Sequence, residues 1–451
     1  MSDSRKPVIK AFCRGIQMTK RTLQLLLLGC VSSVGAIAQI NCANGSPTAT
    51  KLVCQIPFST GVFNTNGGIS PASLAAAQGI ASTINSAFAT QVSQLPLTSA
   101  SAGTIVLYKA GVPVTYYNQG PILTDRAATI GRHKLYLGFS VSQFYFTDID
   151  GISLNHVPFT YQATATDKTT GAVLSNTFTT ETANIHFKLD QYIAVATYGV
   201  SNRLDVSMIL PIERVSVGTA TLNTQAYILN ADNVVVLGPY PVPSTYVPGT
   251  ASGIGDIVFN GKYVAWRGEH STFSTGMDLR TPTGDDLNYL GSGAWGFNPY
   301  LVYSYLARVS PHARIGYQWN TATELNNPTL TAGGNKALPG GVQYDVGADW
   351  AWTQHLTLAG DLLGSQYTNA AKVVKSLTPL PPPVTNPPTN PSIFLPTVTT
   401  ANASYTISDL SLGAKWNPFR DLVITGNVLI QLNNEGLRTR PAPLLGISYK
   451  F

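Results

Sequence analysis

Residues 443–451 read PLLGISYKF, and the alternation in them decides the fold. Leu445, Ile447, Tyr449 and Phe451 fall on one face, and Gly446, Ser448 and Lys450 on the other. A period of two means a strand with one apolar and one polar side. A soluble sandwich produces such a strand. So does the closing strand of a transmembrane barrel, with its apolar side against lipid. Upstream strands repeat the pattern. In 421–434, DLVITGNVLIQLNN, Leu422, Ile424, Val428, Ile430 and Leu432 oppose Thr425, Asn427 and Gln431. In 340–352, GGVQYDVGADWAW, Val342, Tyr344, Val346, Ala348, Trp350 and Trp352 oppose Gln343, Asp345 and Asp349.

From about Lys134 onward, twelve such segments can be marked: 134–146, 181–198, 202–217, 255–266, 270–282, 293–306, 311–321, 340–353, 355–368, 403–417, 420–433 and 442–451. Residues 218–230 either lengthen the third or form a loop hairpin. The connections alternate. Short ones are 199–202, 267–269, 308–310, 353–354 and 419–420; long ones are 147–180, 218–254, 283–292, 322–339, 369–402 and 434–441. Outer-membrane barrels pair short periplasmic turns with longer outer loops, whereas a sandwich has no reason to alternate. The expected fold is therefore all-β: a transmembrane antiparallel β-barrel of about twelve strands over 133–451, with both termini on the periplasmic side. Tyr198, Trp266, Trp352, Trp416 and Phe451 sit beside short turns or the C-terminus, where a periplasmic aromatic girdle belongs. The closing strand that ends on Phe451 is the expected recognition point for the barrel assembly machinery, and the band around the barrel is the surface for outer-membrane lipid.

Composition agrees. Only 11% of the 451 residues are charged, 10% are aromatic and mean hydropathy is +0.09. Beyond the N-terminus there is no apolar run long enough for a membrane helix. Residues 1–38 read as a cleaved export signal: Arg5, Lys6, Lys10, Arg14, Lys20 and Arg21, then LQLLLLGCVSSVG, then Ala36-Ile37-Ala38. Leu27-Leu28-Gly29-Cys30 is a competing lipoprotein box. Without 1–38, the 28 basic and 22 acidic residues fall to 22 and 21, a net charge of +1, which removes any nucleic-acid reading. Cys42 and Cys54, left in NCANGSPTATKLVCQ, are a candidate disulfide in an oxidising compartment.

Residues 39–132 form a separate N-terminal segment, a lumen plug or a periplasmic extension. Ser70 and Pro71 suit a helix start, Leu74, Ala77, Ile80, Ala81, Ile84, Phe88 and Val92 recur at helical spacing, and Pro96 ends the run. TIVLYKAGVPVTYYN (104–118) predicts a hairpin around Ala110-Gly111. The stretch 378–396, with eight prolines, predicts an outer loop that forms no sheet.

The candidate lumen-facing residues are Lys134, His186, Lys188, Asp190, Asp205, Asp256, Lys262, Asp278, Arg280, Arg314, Asp345, Asp349, Asp361, Asp409, Lys415 and Lys450. Their signs are nearly balanced. That fits either ion pairs that hold the wall or a conduit with a weak field. A one-residue slip moves any of them to the other face. As catalytic bases, His186 and His312 lack a recognisable motif and read as wall histidines. Asp148-x-Asp150-Gly151 and Asp285-Asp286 are two-acid clusters, short of a calcium ligand set. No cofactor motif is present.

Five phrases occur in order: ATYGVSNRLDVSMILPI (196–212), SGIGDIVFNGKY (252–263), GMDLRTPTGDD (276–286), GSGAWGFNPYLVYS (291–304) and ARIGYQW (313–319). Upstream lies GPILTDRAATIGRHKLYLGFSVSQFYFTDIDGISL (120–154). Together these resemble the outer-membrane transporter family of the meta-pathway of phenol degradation, over about 120–451. The resemblance implies a barrel of about twelve strands that passes small, often aromatic or hydrophobic, solutes. It supplies no defined set of functional residues. A barrel whose outer loops bind a partner is the rival expectation, and a lipid-modifying enzyme the third.

Overall fold

The computed structural model describes residues 51–54, 81–91, 105–109, 112–116 and 118–451, apart from 167–169, 171, 242–245, 328–333, 385–392 and 420. The export signal, Cys42, the side chain of Cys54 and the Ser70–Pro71 helix start lie outside the described residues.

Twelve strands close into one antiparallel barrel. They are β1 Leu135–Ile149, β2 Val173–Gly199, β3 Leu204–Asn230, β4 Val258–Arg267, β5 Ser271–Arg280 and β6 Gly296–Tyr305. They continue as β7 Val309–Asn320, β8 Gly341–Ala351, β9 Leu356–Pro379, β10 Phe394–Phe419, β11 Leu422–Gln431 and β12 Ala442–Lys450. Closure is between the first and last strands, from Leu444↔Ser142 to Lys450↔Tyr136. Beyond that ladder, Phe451 N donates to Leu135 O at 2.7 Å. Both ends of the barrel chain therefore lie at the short-turn end.

Four strands run well beyond their sequence segments. β2 and β3 reach 27 residues each, and β9 and β10 reach 24 and 26. These hairpins consume much of what reads as loop, including 218–230. The proline-rich stretch is likewise trimmed, because pairing runs out to Pro379↔Phe394. Proline is tolerated there because this is the last pair of the ladder.

The apolar band is read from the outer face. Leu137, Phe139 and Val141 on β1 and Val206, Met208 and Ile212 on β3 are exposed. Val141 pairs with Tyr192, and Tyr192 with Ile212, in one row across three strands. The next outward row is Gln143, Asp190 and Arg214. The band ends between those rows.

This corrects the lumen assignment of His186, Lys188 and Asp190. They lie on the outer face of β2, while Ile185, Phe187 and Leu189 point inward and are buried. Lys188 Nζ is 3.0 Å from Asp190 Oδ2 and 5.2 Å from the Tyr145 ring centroid. The polar-inside rule fails here because β2 has left the hydrocarbon band. Charge outside it meets water and headgroups, and the inner wall must match an apolar filling. Lys134 is corrected too. It precedes β1, is exposed, and accepts the Gly199 N–H through its backbone carbonyl.

Inside the barrel, the helix over 81–91 is buried all round except for the half-buried Ala87 and Gln91. A helix on a protein surface keeps one polar face wet. This one buries Ser82, Thr83, Asn85 and Ser86 as well as Ile84 and Phe88. The expected hairpin pairs Ile105–Lys109 with Val112–Tyr116.

Met208→Arg, in the apolar band, should lower unfolding stability in lipid vesicles by ~2–4 kcal/mol, and Ser216→Arg, on the same face beyond the polar row, by ~0–1 kcal/mol. Equal losses in a denaturant titration would put the band elsewhere.

Candidate functional site in the barrel lumen

Two described parts of the N-terminal segment, 118–130 and 81–91, occupy the lumen as two storeys of opposite chemistry. At the short-turn end, residues 118–130 cross the barrel as an irregular strap. Its backbone polar groups are taken up by wall side chains. Gln119 N donates to Thr357 Oγ1 at 3.1 Å, and Ala127 N to Ser304 Oγ at 3.0 Å. Ile130 N donates to Asp205 Oδ2 at 2.9 Å. In return, Lys415 Nζ donates to Pro121 O at 2.5 Å, Lys262 Nζ to Arg126 O at 2.8 Å and Ser274 Oγ to Ala127 O at 2.5 Å. A buried irregular backbone needs such partners, and these inward polar residues supply them. Gly120 has φ +78°, and a Cβ there would lie 2.5 Å from Arg126 Nη2, so the strap turns only on glycine.

A buried charge cluster holds the strap's centre. The Arg126 guanidinium lies 3.8 Å from Asp349 Oδ2 and donates to Asn118 O at 3.0 Å. His312 sits between Asp349 Oδ1, 3.1 Å from Nδ1, and Asp361 Oδ1, 2.7 Å from Nε2. Thr124 Oγ1 is 2.9 Å from the same Nε2. His312 thus ties the strap to β8 and β9.

Higher up, charges pair along the wall. Arg314 contacts Asp278 at 2.5 Å and Asp345 at 3.8 Å, and its guanidinium lies 4.2 Å from the Tyr300 ring centroid. These three side chains keep 14–23% exposure, the wettest of the lumen ion pairs on β5, β7 and β8. Arg280 lies 3.6 Å from Asp256, and Arg438 donates to Asp409 at 2.6 Å. Lys450 is half-buried at the end of β12.

Arg126, Glu181, Glu213 and Arg438 are buried ionisable residues that the sequence reading omits. Glu213 was legible, since it shares the face of Asp205 on β3. Arg438 and Arg126 were not, because they fall in a connection and in the strap. The two acid clusters serve the fold: Asp150 accepts from Val373 N at 2.8 Å and Gly436 N at 3.0 Å. Among the described residues no group of three His, Cys, Asp or Glu could hold a metal ion.

The upper storey is apolar. Phe88 of the helix stacks on Phe187, with ring centroids 4.1 Å apart and planes at 16°. Tyr289 meets it edge-on at 5.4 Å and 87°, and Phe146 is tilted at 6.5 Å. Tyr289 comes from the long connection 281–295, which folds inward, and its hydroxyl donates to Asn85 Oδ1 at 2.5 Å. Burial raises the Tyr289 pKa, so the hydroxyl stays a donor. The same connection holds the chain further upstream, with Lys51 Nζ 2.6 Å from Asp285 and Leu52 N donating to Asn288 Oδ1 at 3.2 Å.

Tyr198, Trp266, Trp352, Trp416 and Phe451 are all exposed and stand at or beside the short-turn ends of their strands. The family described as "Putative MetA-pathway of phenol degradation" matches residues 163–371. The middle of the barrel carries that family's sequence pattern. No curated protein matches the sequence. Among solved structures, an outer membrane channel from Pseudomonas putida F1 is 11% identical, covering 72% of this chain and 98% of its own, with TM-score 0.43. The NanC porin is 9% identical over 69% and 100%, with TM-score 0.36. The TodX monoaromatic hydrocarbon channel is 10% identical over 72% and 92%, with TM-score 0.32. The chain is a closed transmembrane β-barrel with an apolar outer band.

Removing one partner of a buried ion pair costs about 3–5 kcal/mol. Arg126→Met should therefore lower the temperature at which the barrel loses its compact gel mobility. Adding Asp349→Asn to Arg126→Met should recover part of the loss. A single substitution with no effect would show that the strap is held without this pair.

Proposed function

We propose that the protein is a passive channel for small aromatic or otherwise hydrophobic solutes, exported through a cleaved signal and held shut by its own residues 39–132. The observation that carries this reading is the helix over 81–91, buried on nearly all sides within the barrel. Eight-stranded barrels are filled by their own side chains, and barrels of 16–18 strands leave an aqueous channel. Twelve strands leave room that must be filled or wet. Here the N-terminal stretch fills it rather than the wall itself.

Solute class follows from the two storeys. An apolar, aromatic-lined upper storey favours a ring-bearing solute over a sugar or an ion. The family match adds a link to aromatic degradation. A hydrophobic solute is slowed by the polar outer leaflet, and a barrel helps it by offering apolar surface across that layer. The balanced charges of the lower lumen give no strong preference for either ion sign. The aromatic end of β12 is the proposed signal for the assembly machinery.

The refolded mature protein in a planar bilayer should be nearly silent, and deletion of residues 40–130 should give steady conductance. A deletion variant that folds, by heat-modifiable gel mobility, yet stays as silent as the parent would overturn the plug.

A further inference from the structure

Phe88 is a benzyl group held as a ligand would be held. One ring face lies on Phe187, its neighbour Tyr289 approaches edge-on, and Phe146 closes a third side. Those three side chains come from β1, β2 and the connection 281–295, so the slot belongs to the barrel and not to the helix. Phe88 and Phe187 are each 0% exposed, as is Tyr289. Offset stacking and edge-to-face contact are the arrangements that aromatic rings prefer.

We propose that this slot is the binding site for the solute's aromatic ring, and that Phe88 is its resident placeholder. The inference rests on the channel reading above. The slot's size sets the ligand class as a single ring, because it already encloses one ring on a short stem. Its one placed polar group narrows the class further. The Tyr289 hydroxyl donates to Asn85 Oδ1, an acceptor on the same helix. When the helix withdraws, ring and acceptor leave together. A hydroxylated ring replaces both, filling the slot and accepting the Tyr289 hydrogen bond with its oxygen. A bare ring replaces only the first and leaves a buried donor unmet, which is unfavourable.

The test uses the refolded mature protein in detergent, with 4-fluorophenol and fluorobenzene followed by fluorine NMR. Truncating a ring in an apolar pocket leaves a dry cavity of a kind known to bind benzene, so Phe88→Ala should bind both probes at least about tenfold more tightly than the parent. Adding Asn85→Ala, which removes the resident acceptor of the Tyr289 hydroxyl, should create a preference for 4-fluorophenol, and Tyr289→Phe in that background should abolish the preference and spare fluorobenzene. A folded Phe88→Ala protein that binds neither probe better than the parent overturns the site. Should that variant not fold, the parent with 4-fluorophenylalanine at position 88 decides: phenol should move its resonance to the solvent-exposed position, and an unmoved resonance at saturating phenol overturns the site. Tight binding in Phe88→Ala without phenol permeation into vesicles by any variant would leave the site standing and sink the channel reading instead.

Discussion

Within hydrocarbon, every backbone N–H and C=O must find a partner in the chain, and a sheet can do this only by closing. The ladder between β12 and β1 is therefore the contact on which the rest depends. Closure of consecutive antiparallel strands requires an even number of them and brings both ends of the barrel chain to one rim. It also fixes the width, and twelve strands enclose more space than inward side chains fill. What occupies that space is then the main question for function, and the chain answers it with its own N-terminal segment.

The filling and the wall match by height. An irregular backbone needs hydrogen-bond partners, and at the short-turn end Asp205, Lys262, Ser274, Ser304, Thr357 and Lys415 supply them. A helix satisfies its own backbone and needs only surface to pack on. Above the strap the wall changes to Phe146, Ile185, Phe187 and Leu189, all buried in one apolar cluster with Ile84 and Phe88. The same inward face of β2 runs from Thr197 to Leu189 and Ile185 as the content beside it changes from backbone to helix.

That change explains what the sequence made legible. Strand number, strand direction, the short turns, the aromatic ends and the hairpin at 105–116 all follow from local alternation and turn composition. So does the inward face of strands that stay within the band, such as Asp345 and Asp349 on β8. The error at His186, Lys188 and Asp190 came from applying one polarity rule along a strand of 27 residues. Parity along β2 does not slip between Thr197 and Ile185; the surroundings on its two sides exchange character above the row of Val141, Tyr192 and Ile212. Nothing local marks that height, because it is set by neighbouring strands. The strap was invisible for a related reason. Most of its hydrogen bonds run to partners some 70 to more than 290 positions away, as in Ile130 with Asp205 and Pro121 with Lys415.

The two storeys differ in what can replace them. Burial of apolar surface is non-directional, so a ring of similar shape recovers most of what Phe88 gives up on leaving. The strap is held by directed hydrogen bonds from charged side chains, and its departure would strand Asp349, Lys262 and Lys415 in a buried wall unless water or a polar solute followed. On the proposed reading, solute exchange therefore starts at the outer storey, where exchange is nearly balanced, and leaves the strap seated. Onward passage has to skirt the strap. The Arg314–Asp278–Asp345 network lies on the approach to it, and its side chains retain 14–23% exposure where the Arg126–Asp349 pair retains 1–3%. A small ring with one polar group suits both halves of that path, with its carbon face against Phe187 above and its hydroxyl among the paired charges below.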